Sequence, residues 1–258
     1  MPMKSAHRFP NFTRWMLVWQ DSFLSLTYDR PPIATYIPGT VPQEYPPGTG
    51  NSYASSVFLI GRMILERERD EMTIPHEVNT VAGLLEYKRR LHSVRDRAAP
   101  YLVDRARCRT LQENLERSAL LVHVEYLVCR VYRFCLRCDD PAADQALRDS
   151  LASDYFASAA QVVQSFLDMY RLLPAVCRTW AFVHNVASSA IPLKNLPAVS
   201  APLLGSLVER FEPLVQKLIG VLEKEAKECE WYDADTNVRE YGPCSRVARA
   251  LRETYGDI

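Results

Sequence analysis

Cysteine and histidine are the residues whose spacing in this chain could hold a metal or run redox chemistry. Cys135-x2-Cys138 has the two-residue gap used by zinc sites and by dithiol pairs. A zinc site needs in addition a second such pair, or two histidines three to five residues apart. Cys129 lies six positions earlier and the next cysteine is Cys177, while His7, His76, His92, His123 and His184 stand singly. A dithiol oxidoreductase needs a βαβ setting, and no strand pattern flanks this pair. The two thiols therefore read as neighbours on a helix, with no metal expected. His123 and His184 fall within apolar helical stripes and read as core or boundary histidines. A Ser-His-Asp triad leaves no local trace in a sequence, but the Gly-x-Ser-x-Gly elbow does not occur. The seven cysteines are an odd number in apolar or helical contexts, as expected of reduced thiols inside a cell.

Carboxylates cluster once, in Asp139-Asp140-Pro141-Ala142-Ala143-Asp144. The run resembles the aspartate-rich motif of all-α terpene synthases, in which carboxylates on one helix face hold Mg²⁺ against a diphosphate. The second motif of that family, Asn-Asp-x-x-Ser-x-x-x-Glu, is not completed. His184-Asn185-Val186-Ala187-Ser188-Ser189 runs on to Pro192 and Leu193 where the glutamate is needed. Asp140-Pro141 reads more simply as a helix cap with proline at the first helical position. A metal-dependent all-α enzyme using Asp140 and Asp144 stays as an alternative.

Positive charge is concentrated between Lys88 and Arg109, where eight basic residues stand against Asp96 and Asp104. Lys88, Arg89, Arg90, Arg95 and Arg97 form its core and are the candidate contact surface for DNA phosphate or an acidic partner. A solvated helix face is the plainer reading. Only Tyr87 and Tyr101 interleave with the charges, so a stacking platform for single strands is not expected. The whole chain balances 31 Lys+Arg against 31 Asp+Glu, which argues against gripping a nucleic-acid backbone as its main task. With 9 glycines in 258 residues it contains neither GxGxxG nor GxxxxGK[ST], which excludes dinucleotide and P-loop phosphate sites.

Helices must position these groups. Phe12, Trp15, Met16, Trp19, Phe23 and Leu26 predict a helix over 9–28. Residues 29–50 cannot extend it, because 6 of the 17 prolines fall there. Further helices are predicted from Asn51 or Ser52 to Arg69, over 79–97 and 109–137, from the Asp140 cap through Tyr170, from Pro174 to Ala190, over 202–230 and over 243–255. Apolar residues on several sides of the 109–137 helix predict that it is enclosed. In the 202–230 helix a heptad-like stripe (Leu204, Leu207, Phe211, Leu214, Leu218, Val221) could form a dimer seam. It is short and holds Pro213, which favours packing inside the domain. No period-2 pattern persists. The apolar stretch from Ser118 to Leu136 carries His123, Glu125, Arg130 and Arg133, which excludes a membrane helix there. The N-terminus has no secretory core. The expected fold is an all-α, multi-helix bundle forming one domain over 1–258, with a proline-rich loop over 29–50.

Residues 12–33 carry a family resemblance. In FTRWMLVWQDSFLSLTYDRPPI, Arg14, Trp15, Asp21, Ser25, Arg30, Pro31 and Pro32 match a signature of the middle homology region of fungal zinc-cluster (Zn2Cys6) transcription factors, also called the fungal-specific transcription factor domain. Asp29 replaces the usual glycine. Leu121 to Arg133, Phe156 to Val163 and Trp180 to Ala190 resemble later helices of that region in the same order. The Arg-Pro that the family places after the first of these is absent. The resemblance implies a non-catalytic regulatory domain that controls transcription in the nucleus through a small effector or other transcription-regulatory proteins, with no catalytic, cofactor or metal site. Zinc would belong only to an N-terminal Cys-x2-Cys-x6-Cys cluster, which these residues lack, so the chain reads as the C-terminal part of such a factor. Direct DNA binding and a membrane are not expected; a homodimer and a free-standing interaction protein remain open. Asp21 is expected to pair with Arg30 where the chain leaves the helix, at a cost of roughly 1–3 kcal/mol if broken.

Overall fold

The computed structural model describes residues 9–28, 30, 32–33, 51–137, 144–194, 196, 199–228, 232–233, 238–239 and 242–256. The fold is all-α. Two compact units separate, Met1–Leu120 and Leu121–Ile258, and the division falls inside one long helix.

The first unit begins with α1 (Phe9–Tyr28), as the aromatic stripe predicts, and α2 (Tyr53–Thr73) packs along it. Ser52 caps α2, its hydroxyl accepting from the Ser55 amide. Contact between the two helices is close because Gly61 lacks a side chain: a Cβ there would meet Trp19 Cα at 3.2 Å. One turn along α2, Phe58 stacks on Trp15 with ring centroids 5.6 Å apart. A one-turn helix α3 (Pro75–Val78) leads to α4 (Val81–Asp96), which Thr80 caps through the Gly83 amide. Arg67 of α2 ties this corner by donating to Val78 O at 2.6 Å and to Asn79 Oδ1. Another single turn, α5 (Pro100–Val103), and a 3₁₀ turn over Arg105–Arg107 precede α6 (Leu111–Arg137). A reciprocal capping box opens α6. The Glu113 amide donates to Thr110 Oγ1 at 3.1 Å, and the Thr110 amide donates to Glu113 Oε2 at 3.0 Å.

From Ser118 to Cys129 every residue of α6 is buried, so this helix is enclosed as its pattern predicts. The second unit adds α7 (Gln145–Leu172), α8 (Trp180–Ala190), α9 (Ala201–Glu228) and α10 (Pro243–Tyr255). Aromatic contacts join them: Phe211 of α9 meets Phe156 at 5.9 Å and Tyr255 at 6.3 Å, and the Tyr255 hydroxyl donates to Ala190 O at 2.7 Å. Asp149 of α7 accepts from both the amide and the hydroxyl of Ser200, fixing the start of α9.

Four expectations are corrected. The helix expected to begin at Asp140-Pro141 begins at Gln145, where Asp144 Oδ1 accepts from the Leu147 amide at 2.8 Å; Asp140 and Pro141 lie outside the described residues. Pro174 opens a 3₁₀ turn over Pro174–Arg178, and α8 starts only at Trp180. A proline suits a first turn of either helix type, so the sequence does not separate the two. In α9 the buried stripe is Leu207, Phe211, Val215, Leu218, Ile219 and Leu222, rotated from the predicted seam and covered within the unit. Tyr232–Asp233 pairs antiparallel with Val238–Arg239, a ladder of two residues per strand that is too short to show alternation. The proline-rich loop lies almost wholly outside the described residues.

Gly61→Leu is expected to destabilise by about 1–3 kcal/mol, because the new side chain must displace the α1 backbone at Trp19. Gly220 on α9 has nothing within 4 Å of an added Cβ. Gly220→Ala should therefore stabilise by about 0.5–1 kcal/mol through helix propensity alone. Thermal unfolding of both variants checks the pair.

Candidate functional site

The residues that carry the resemblance form a local exit from α1. Trp15 is 1% exposed under Phe58. Two buried serines turn their hydroxyls back onto the helix: Ser22 donates to Val18 O at 2.7 Å and Ser25 to Ser22 O at 2.6 Å. The Arg30 amide donates to Ser25 O at 3.0 Å, a six-to-one closure of the Schellman type. Glycine is favoured just before the donor of such a closure; the sequence has Asp29 there, outside the described residues. Arg30 Nη2 donates to Asp21 Oδ1 at 3.1 Å, and Pro32 is buried. The pair anticipated from the spacing is thus formed. The side chains of Arg30 and Asp21 are 36% and 18% exposed, so solvent screens the pair more than a buried one. The Arg14 side chain and Pro31 lie outside the described residues.

The basic stretch is largely neutralised. Arg89 bonds Glu86 at 2.6 Å, Arg90 bonds Glu66 of α2 at 2.7 Å and Arg95 bonds Asp96 at 3.1 Å. Beyond Arg97, an exposed residue just past α4, Arg107 faces Asp104 at 3.6 Å. Glu66 accepts from both Arg62 and Arg90, which together outweigh its partial burial and hold its carboxyl below the usual range. These contacts staple α4 to α2 and cancel much of the field that the bare sequence suggests.

The chemistry-bearing side chains of the second unit lie between α6 and α8. His123 is buried and stacks on Phe182 at 5.3 Å. Burial pushes its pKa down to about 4, which leaves the ring neutral at neutral pH. One turn on, His184 Nε2 is shared by the Tyr126 hydroxyl at 3.4 Å and the Ser188 hydroxyl at 3.2 Å. Its pKa is also depressed, first by burial and then by Arg130 and Arg133. Cys129 is fully enclosed, and burial drives its thiol far above the usual range, so it is neither a nucleophile nor a ready metal ligand. Cys135 is buried too, and its sequence partner Cys138 lies outside the described residues. Asp144 is committed to its cap. Among the described residues no three His, Cys, Asp or Glu side chains stand together as a metal group.

The sequence reading missed one surface. Where α6 leaves its enclosed stretch, Arg130, Arg133, Phe134 and Arg137 follow at i, i+3, i+4 and i+7, on one side of the helix. The Arg130 guanidinium lies over the Phe134 ring at 5.9 Å, and Phe134 is 48% exposed. Trp180, at the start of α8, is 39% exposed and lies against His184 at 5.7 Å. Among the described residues none of these three arginines forms an ion pair. The spacing on α6 was visible in the sequence; the exposure of Phe134 and Trp180 was not.

Asp21→Ala should cost about 1 kcal/mol, the low end of the sequence expectation, because Arg30 is over a third exposed. Chemical denaturation of the variant measures it. The His123 shift predicts a distinct pH response. Its folded pKa lies below its unfolded value near 6.5, so the unfolded state binds the extra proton. The stability it contributes is complete above about pH 6.5 and is lost as pH falls toward 4, to the order of 3 kcal/mol. Melting curves should fall across that window in the wild type, and less in His123→Asn. A flat wild-type profile would contradict a neutral buried imidazole. No protein-family model, curated protein or solved structure matches this chain.

Proposed function

We propose that this chain is a non-catalytic regulatory domain of the kind found in the middle homology region of fungal zinc-cluster transcription factors. It acts in the nucleus by binding other transcription-regulatory proteins or a small effector, and leaves DNA reading to a separate zinc-cluster part. The Asp21–Arg30 pair supports this reading most, because it joins two signature residues across the helix exit. The signature residues Ser25 and Pro32 are buried at the same exit, and Trp15, further back on α1, is buried under Phe58. The neutralised 88–97 stretch fits a domain that does not itself grip DNA. The enzyme alternative has less support, since Asp144 already bonds the Leu147 amide.

The experiment is to join the chain to an unrelated DNA-binding domain and to measure transcription from a matched reporter. Output should change severalfold, up or down, relative to the DNA-binding domain alone. Output equal to that of the DNA-binding domain would count against the reading.

A further inference from the structure

We propose that Thr110, at the entry to α6, is a phosphorylation site for an arginine-directed serine/threonine kinase. The site stands on the side chains of one segment and does not depend on the regulatory reading.

Arginine precedes Thr110 by one, three and five positions, as Arg109, Arg107 and Arg105, and Leu111 follows it. All five residues are exposed, Leu111 to 55%. In an extended chain alternate side chains project to one side. Arg105, Arg107 and Arg109 then face together, as a kinase cleft lined with carboxylates requires, and Leu111 adds an apolar anchor beside the hydroxyl. Arg107 stands 3.6 Å from Asp104, beyond hydrogen-bond range, and both side chains are over half exposed. That attraction is readily exchanged for a carboxylate of the enzyme.

The segment is also easily drawn out. Between Asp104 and Thr110 it makes a single 3₁₀ turn, closed by the Arg107 amide on Asp104 O and the Cys108 amide on Arg105 O, each at 3.1 Å. Cys108 is already extended, with φ −70° and ψ 123°. One exposed turn of this kind belongs to the low-stability end of a fold. The firmer anchor, the Tyr101 hydroxyl donating to Glu116 at 2.6 Å, lies outside the run. Thr110 Oγ1 accepts from the Glu113 amide at 3.1 Å, a bond that leaves the hydroxyl its own proton. Ser93 fails on the same criteria. Arg90 and Arg89 lie three and four positions before it, but it is half-buried inside α4, and they are bonded to Glu66 at 2.7 Å and Glu86 at 2.6 Å.

In the transfer, Thr110 Oγ1 bonds to the γ-phosphorus of ATP and the bond from that phosphorus to the bridging oxygen breaks. ADP leaves with the electron pair, and the hydroxyl proton passes to the carboxylate base of the kinase. The product sets about two negative charges beside Glu113, whose carboxylate accepts from the Arg109 and Thr110 amides at 2.5 and 3.0 Å. Phosphate and carboxylate then compete for the same amides, so the modification acts on the start of α6.

The test incubates the full chain with ATP and the catalytic domain of an arginine-directed kinase, and in parallel with that of an acid-directed one. Phosphate is mapped by mass spectrometry. Thr110 is expected to be modified by the first enzyme and not by the second. Arg107→Gln should slow its modification about tenfold and Arg105→Gln several-fold. Arg89→Gln, in α4, should leave the rate unchanged. Thr110→Ser should still be modified, and Thr110→Asn, which keeps a good cap, should lose this phosphate alone. The arginines are exposed and the cap is preserved, so loss of fold does not confuse the result. No phosphate on Thr110, equal modification by the acid-directed kinase, or a rate unchanged in both Arg105→Gln and Arg107→Gln would each overturn the proposal.

Discussion

The enclosure of α6 from Ser118 to Cys129 sets the terms for everything around it. Twelve consecutive helical residues are buried, so the helix has no wet side on which to place polar groups. Polar side chains that remain there must be neutral or paired. His123 is held neutral by burial and packs as a ring against Phe182. Cys129 is held as a thiol. Glu125, the one carboxylate in this stretch, is buried and makes its own interactions, and basic side chains return where the enclosure ends, at Arg130, followed by Arg133 and Arg137 on the same side. The position of the charged and aromatic face is thus a consequence of where the core stops.

The regularity of the helices made much of this fold legible. The aromatic stripe gave the limits of α1, and the cap at Ser52 gave the start of α2, because both depend on neighbouring residues alone. The Asp21–Arg30 pair was accessible for the same reason, since nine positions span one helix exit. Errors arose where two local solutions were equally good. Asp140-Pro141 and Asp144 can each cap a helix, and Pro174 opens a 3₁₀ turn as readily as an α-helix.

The candidate surface was harder to read, for a reason of distance. A run of basic residues is conspicuous in sequence, whereas the carboxylates that cancel it lie elsewhere: Glu66 is 24 positions from Arg90. Conversely, Tyr126 and His184 are 58 positions apart and meet only in the fold. Composition is blind to both effects. A net charge of zero describes equally a surface in which every charge is paired and one that leaves a single positive line exposed.

That distinction gives the α6 arginines their significance. An ion pair already made at a surface contributes little to stability and must be broken before either partner can serve another molecule. Arg89, Arg90 and Arg95 are in that position. Among the described residues Arg137 forms no ion pair, and Arg130 lies over the ring of Phe134. A cation over an exposed ring contributes about 0.5–1 kcal/mol. Such a contact orients the guanidinium without consuming its hydrogen bonds.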